Sequence, residues 1–108
     1  MATIYNVDAQ TLSQWLNDDE AVLIDVRQTE EHNSARIDGA TNLPLETVAI
    51  DKVNLAQHQN KKLVLHCLAG GRSAMACQQL IAAGIGVDVW NLEGGIAAWQ
   101  NAGLQIIK

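Results

Sequence analysis

The run His66-Cys67-Leu68-Ala69-Gly70-Gly71-Arg72-Ser73 brings together a thiol, two adjacent glycines, an arginine and a residue able to cap a helix. Thiol chemistry needs the thiolate, which forms readily only where the local potential is positive. The first backbone N–H groups of a helix lack partners, and the helix dipole is positive at that end. A cysteine held there can have its pKa lowered from ~8.5 to roughly 3.5–7.5. Gly70 and Gly71 permit the dihedrals that turn successive N–H groups toward one centre, a nest for an anion. Arg72 adds a permanent charge with a planar fork of donors suited to an oxyanion. Ser73 is placed to cap the following helix. A cysteine at a strand end is commonly just a small buried hydrophobe. The glycines and arginine ahead of a helix favour a nucleophile instead.

Spacing separates the possible chemistries. Four residues lie between Cys67 and Arg72. Phosphatases with a cysteine nucleophile place one more residue there, and their wider loop encircles a tetrahedral phosphate. The shorter loop favours attack on sulfur or a small anion, leaving a phosphatase or arsenate reductase as the weaker reading.

Such a loop must be carried by a strand and followed by a helix, and the flanking sequence predicts both. Leu63 to His66 reads as a central strand. Ser73 to Ala83 reads as a helix with Ala74, Cys77, Leu80 and Ile81 on one face, stopped by Gly84. Upstream, Asp8 precedes Leu12, Trp15 and Leu16 at helical spacing, predicting a capped helix that ends near Asn17-Asp18-Asp19. Ala21 to Val26 is an apolar run bounded by charge, predicting a buried strand. Gln28 to Ser34 predicts a short helical turn. Gly39 to Leu45 predicts a strand leading through Pro44 into a short helix near Leu45 to Ile50. Downstream, Val87 to Trp90 reads as a strand, and Gly94 and Gly103 bracket a last helix. This alternation predicts an α/β fold with a largely parallel sheet. Ligands of such sheets bind at the carboxyl ends of strands, where Cys67 lies.

The chain's 108 residues, 1–108, suffice for a single domain with its own core. With 48% hydrophobic and 18% charged residues the composition is that of a globular protein. A net charge of −5, with no basic run longer than Lys61-Lys62, argues against nucleic acid or an anionic membrane as partner. No apolar stretch is long enough to span a bilayer, and "MATIYNVDAQ" lacks the features of a signal peptide. The expectation is a cytoplasmic monomer in which Cys67 and Cys77 are free thiols.

Cys77 falls on the apolar helix face, as a core thiol would. His66 adjoins Cys67 in sequence, so the two side chains should point to opposite faces of the sheet. His32 and His58 lie in polar segments and are expected to be solvated. The cysteines and histidines show no zinc-ligand spacing, so neither metal nor other cofactor is expected. Glu30 and Glu31 read as a solvated helix face, Glu93-Gly94-Gly95 as a tight turn, and Trp15, Trp90 and Trp99 as core. Asp25 and Arg27 are same-face neighbours at a strand end, with a weak surface ion pair as the plain alternative.

These motifs together resemble a single-domain rhodanese, the thiosulfate sulfurtransferase family. "LIDVR" (Leu23 to Arg27) resembles the first signature strand and "ARIDGATNLPL" (Ala35 to Leu45) the second. "VLHCLAGGRSAMA" resembles the active loop and "VWNLEGGIAAWQNAG" the C-terminal signature. The resemblance implies a central five-stranded, largely parallel sheet flanked by helices on both faces. It implies catalytic Cys67, carried as a persulfide, and Arg72, in a substrate-binding loop of Leu68, Ala69, Gly70, Gly71 and Ser73. Asp25 and Arg27 would organise hydrogen bonds beneath that loop. The second signature usually reads Gly-His-Ile-Pro-Gly-Ala, and here Ala35, Arg36 and Asp38 replace three of those residues. The implied activity takes sulfane sulfur from a donor such as thiosulfate, or from a protein persulfide, and passes it to cyanide or a thiol. A non-catalytic interaction or sulfur-relay module of the same fold is the alternative.

Overall fold

The computed structural model describes residues 2–53 and 60–108; His58 lies outside them. Its elements are β1 (Ile4–Val7), α1 (Ala9–Asn17), β2 (Ala21–Asp25), α2 (Thr29–Ser34), β3 (Thr41–Asn42), a 3₁₀ turn (Leu45–Thr47), α3 (Ile50–Val53), β4 (Lys62–His66), α4 (Gly71–Ala82), β5 (Val89–Leu92) and α5 (Gly95–Asn101). The five strands form one sheet in the order β1-β5-β4-β2-β3, with every neighbouring pair parallel.

Side-chain alternation along the inner strands builds two cores. Ile24 on β2, Leu63 and Leu65 on β4 and Val89 on β5 face one way, and pack with Cys67, Ala76, Cys77, Leu80 and Val53 under α3 and α4. Leu23, Val64 and Leu92 face the other way, and pack with Leu12, Ile37, Ile96 and Trp99 under α1 and α5. A sheet covered on both faces requires apolar residues at successive positions. Lys62-Leu-Val-Leu-His66 supplies them, with its four residues from Leu63 onward all buried.

Local chemistry starts and stops the helices. Asp8 accepts a hydrogen bond from Thr11 N at 2.7 Å and caps α1 as predicted. On α2 the cap is reciprocal, since Gln28 N donates to Glu31 Oε1 at 3.0 Å. α4 begins two residues earlier than predicted, at Gly71, with Gly70 as its N-cap in the left-handed region (φ 110°). Ser73 is therefore inside the first turn rather than at the cap.

The strands depart from the sequence reading at the sheet edges. β1 carries no apolar run; three of its four residues are exposed and only Val7 is buried. Pairing with β5 makes it a strand. β5 starts at Val89, where it meets both Ile4 and Leu63, while Val87 is 40% exposed. β3 is only Thr41–Asn42. Trp99 is buried, whereas Trp15 and Trp90 are half-buried: Trp90 stacks on Tyr5 at 4.7 Å and meets Trp15 edge-on at 5.0 Å. No described helix is long and apolar enough to cross a membrane.

Leu80 is 1% exposed and joins α4 to the core above β4 and β5. Leu80→Ala should cost about 3 kcal/mol of unfolding free energy in urea titration. Gln79→Ala, one position away and exposed, should stay within about 0.5 kcal/mol of the parent.

Candidate active site

Cys67 is the first residue past β4, and the loop that follows is anchored from below by α5. The N–H of Ile96 donates to the Cys67 carbonyl at 2.9 Å, and that of Ala97 to the Leu68 carbonyl at 3.1 Å. Two amides that helix geometry leaves without intrahelical partners are thereby satisfied. The approach requires glycine at position 95, where φ is 61° and a Cβ would collide with both carbonyl oxygens. With its carbonyls held downward, the loop turns N–H groups to the sulfur. Gly70 N lies 3.0 Å from Cys67 Sγ.

Asn91 on β5 locks the crest of the loop. Its Nδ2 donates to the Gly70 carbonyl at 3.2 Å, and its Oδ1 accepts from the Ser73 hydroxyl. Ser73 Oγ also lies 3.2 Å from the Gly70 carbonyl and 3.5 Å from Cys67 Sγ, so its single hydrogen is shared among Asn91, Gly70 and the sulfur. The sequence reading passed over Asn91. The available signal was an amide flanked by Trp90 and Leu92 in an apolar strand, where it is 8% exposed.

Cys67 is 2% exposed. Burial pushes its thiol pKa up. The Ser73 hydroxyl and the N–H groups of Ser73, Gly70 and Ala69 pull it down further, leaving it below that of a free cysteine. At Cys77 burial outweighs the pull of its own N–H and raises the thiol to about 12. Its sulfur faces the Trp90 carbonyl at 3.8 Å inside the core, and neither cysteine is in a disulfide.

Arg72 does not touch the sulfur. Its guanidinium forks onto Glu31 of α2, Nη1 to Oε1 at 2.8 Å and Nη2 to Oε2 at 3.0 Å. Glu31, expected on a solvated helix face, is thus part of the loop's surroundings. The Arg72 hydrogen bonds hold its carboxyl below the usual value.

A second polar group lies under the sheet's carboxyl edge. Asp25 is wholly buried and Arg27 is 4% exposed. Arg27 Nη2 meets Asp25 Oδ2 at 2.8 Å and Nε meets Oδ1 at 3.0 Å, so this is no surface pair. The remaining Arg27 hydrogen on Nη2 goes to the Ala35 carbonyl at 2.6 Å. Burial raises the Asp25 carboxyl, but the hydrogen bonds from Arg27 and His32 lower it more, and it titrates below 3.8. His32, expected in solvent, instead places Nδ1 2.9 Å from Asp25 Oδ2, because α2 turns it inward.

His66 is fully buried on the opposite face from Cys67, as alternation predicted. Its Nδ1 reaches the Cys67 carbonyl at 3.2 Å, while Nε2 lies 3.8 Å from Asp25 Oδ1 without a hydrogen bond. Burial lowers its pKa against the pull of Asp25. A neutral ring can face a carbonyl only through N–H, which fixes the Nδ1–H tautomer. Among the described residues no cluster of His, Cys, Asp and Glu is arranged to hold a metal ion. A cavity of about 790 Å³, lined by Leu16, Ala21, Ile37 and Trp99 among others, sits at the amino end of β2 and includes none of residues Cys67 to Ser73.

A thiol set among inward N–H groups, at the carboxyl end of a parallel sheet's central strand, defines a cysteine-loop α/β protein. Residues 8–102 match the family model of the rhodanese-like domain, and the chain belongs to that family. A sulfurtransferase of Allochromatium vinosum is 36% identical over 105 residues, covering 96% of this chain and 95% of that one. The protein slr1261 of Synechocystis sp. is 37% identical over 106 residues, covering 98% of this chain but 58% of that one. The crystal structure of a thiosulfate sulfurtransferase from Pseudomonas aeruginosa superposes with a TM-score of 0.86 at 27% identity. That match covers 96% of this chain and 20% of the Pseudomonas chain. This chain thus spans a part of some relatives and nearly all of another.

Iodoacetamide should modify Cys67 in the folded protein, and Cys77 only after unfolding. The pH midpoint of Cys67 alkylation should lie below that of a free cysteine measured alongside it. Ser73→Ala should raise that midpoint by removing a donor to the thiolate. Asp25→Asn, which leaves buried Arg27 without its counter-charge, should lower stability by about 3 kcal/mol in urea titration at neutral pH. Because the folded Asp25 pKa is depressed, its contribution is complete above 3.8 and is lost as pH falls through the lower folded value. The gap between the two proteins should close accordingly in acid.

Proposed function

We propose that the chain is a sulfurtransferase that carries sulfane sulfur on Cys67. The carrying observation is the placement of Cys67 Sγ, buried and facing Gly70 N–H at 3.0 Å with Ser73 Oγ at 3.5 Å. The family of the chain and the sulfurtransferase names of its relatives support the same reading. In the first half-reaction the Cys67 thiolate attacks the outer sulfur of a donor such as thiosulfate. A Cys67–S bond forms, the donor's S–S bond breaks, and its electron pair leaves with sulfite. In the second, cyanide or a thiolate attacks the outer sulfur of the persulfide and Cys67 departs as thiolate. Inward N–H groups of the loop stabilise the anionic sulfur at both stages, and no general base is required once the thiolate exists. Arg72, at the loop's end, would meet the donor's oxyanion head or the departing sulfite.

This reading carries further proposals with it: a small sulfur-containing anion or protein persulfide as donor, a thiol as acceptor, and a monomer in the cytoplasm. The intact Cys67 and the donors turned on it favour catalysis over a purely interacting module.

Incubation with excess thiosulfate should add one sulfur atom to the intact mass, removable by cyanide. Cys67→Ser should gain none, and Cys77→Ala should gain it as the parent does. Sulfur retained by Cys67→Ser would sink the assignment. Hydrolysis of an aryl phosphate without any sulfur adduct would point to a phosphatase instead.

A further inference from the structure

Arg72 is the only charged side chain from Cys67 to Ser73, and the structure commits it to Glu31 through two parallel hydrogen bonds. We propose that Glu31 sets the class of sulfur donor: by clasping Arg72 it disfavours dianions such as thiosulfate and favours persulfides of thiols, R–S–SH. The inference rests on the sulfurtransferase reading and narrows its substrate.

Three contacts hold the clasp in place. Glu31 Oε1 also accepts the Gln28 N–H, which closes the capping box of α2. The next residue, His32, ties α2 to buried Asp25 at 2.9 Å. Bidentate geometry on Arg72 completes the set. Exposed ion pairs commonly contribute little because both partners wander; here the carboxylate is positioned from its own helix before Arg72 reaches it. Exposed Glu30 adds another negative charge to the same turn.

An oxyanion head that seeks Arg72 must therefore displace Glu31 or lie beside its carboxylate. Either route weakens binding of a dianion at the only cation the loop provides. A persulfide brings its outer sulfur to Cys67 with no such head. The Cys67 thiolate attacks that sulfur, the R–S–S bond breaks, and its electron pair leaves as R–S⁻. The transferred sulfur keeps its proton, giving Cys67–S–SH at unchanged total charge. The organic part R would find apolar surroundings at Leu68, beside Cys67 and 50% exposed, and at Met75, three residues past Arg72 and 52% exposed.

The test compares kcat/KM for thiosulfate and for the persulfide of an uncharged thiol, 2-mercaptoethanol, in the parent and in Glu31→Gln, which keeps an oxygen for the Gln28 N–H. The thiosulfate-to-persulfide ratio should rise roughly five- to tenfold, mainly through a lower thiosulfate KM. In an Arg72→Gln background the rise should vanish, because no cation remains to be released. If Glu31→Gln folds poorly, Glu31→Asp, whose shorter side chain withdraws the carboxylate from Arg72, should shift the ratio the same way. An unmoved ratio, or an equal rise without Arg72, overturns this inference while leaving sulfur transfer intact. Failure of both donors to load Cys67 in the parent would overturn the transfer reading and this inference together.

Discussion

The cradle around Cys67 depends on two carbonyl groups being pulled the other way. The Cys67 and Leu68 oxygens accept from the opening amides of α5, so the peptide planes that follow present N–H to the sulfur. A backbone that made those hydrogen bonds elsewhere would offer oxygen lone pairs to the thiol, and burial alone would then raise its pKa. Gly95 is the local requirement, since only a residue without Cβ brings α5 close enough. The anion site of α4's first turn is thus assembled by a helix more than twenty residues downstream.

The sheet divides the work. Leu63, Leu65 and Cys67 face α4, where the sulfur chemistry is built; Val64 and His66 face α1 and α5, alongside Asp25 and Arg27. The two polar groups meet at two places. One is the Cys67 carbonyl, shared by His66 and Ile96. The other is α2, whose adjacent Glu31 and His32 reach Arg72 and Asp25 respectively. A six-residue helix with no buried residue of its own is held by these polar contacts rather than by packing.

Much of this was legible in the sequence, for identifiable reasons. The period-2 rule placed His66 opposite Cys67, and the Asp8 cap, the buried strands β2 and β4 and the apolar face of α4 are local signals. The resemblance to rhodaneses supplied the five-strand count, which β1 alone would not have disclosed, because an edge strand needs a partner rather than an apolar pattern. What escaped was long-range polar pairing. Nothing local to Glu31 announces an arginine forty-one positions away, nor does His32 announce Asp25. Asn91 was likewise invisible as a lock until β5 was set beside β4 and α4.

The tryptophans have a spectroscopic consequence. Trp15, Trp90 and Trp99 all pack with the α1 and α5 core, whereas Cys67 belongs to the core on the far side of the sheet. Indole emission therefore reports on the half of the molecule built under α1 and α5, and global melting changes that signal.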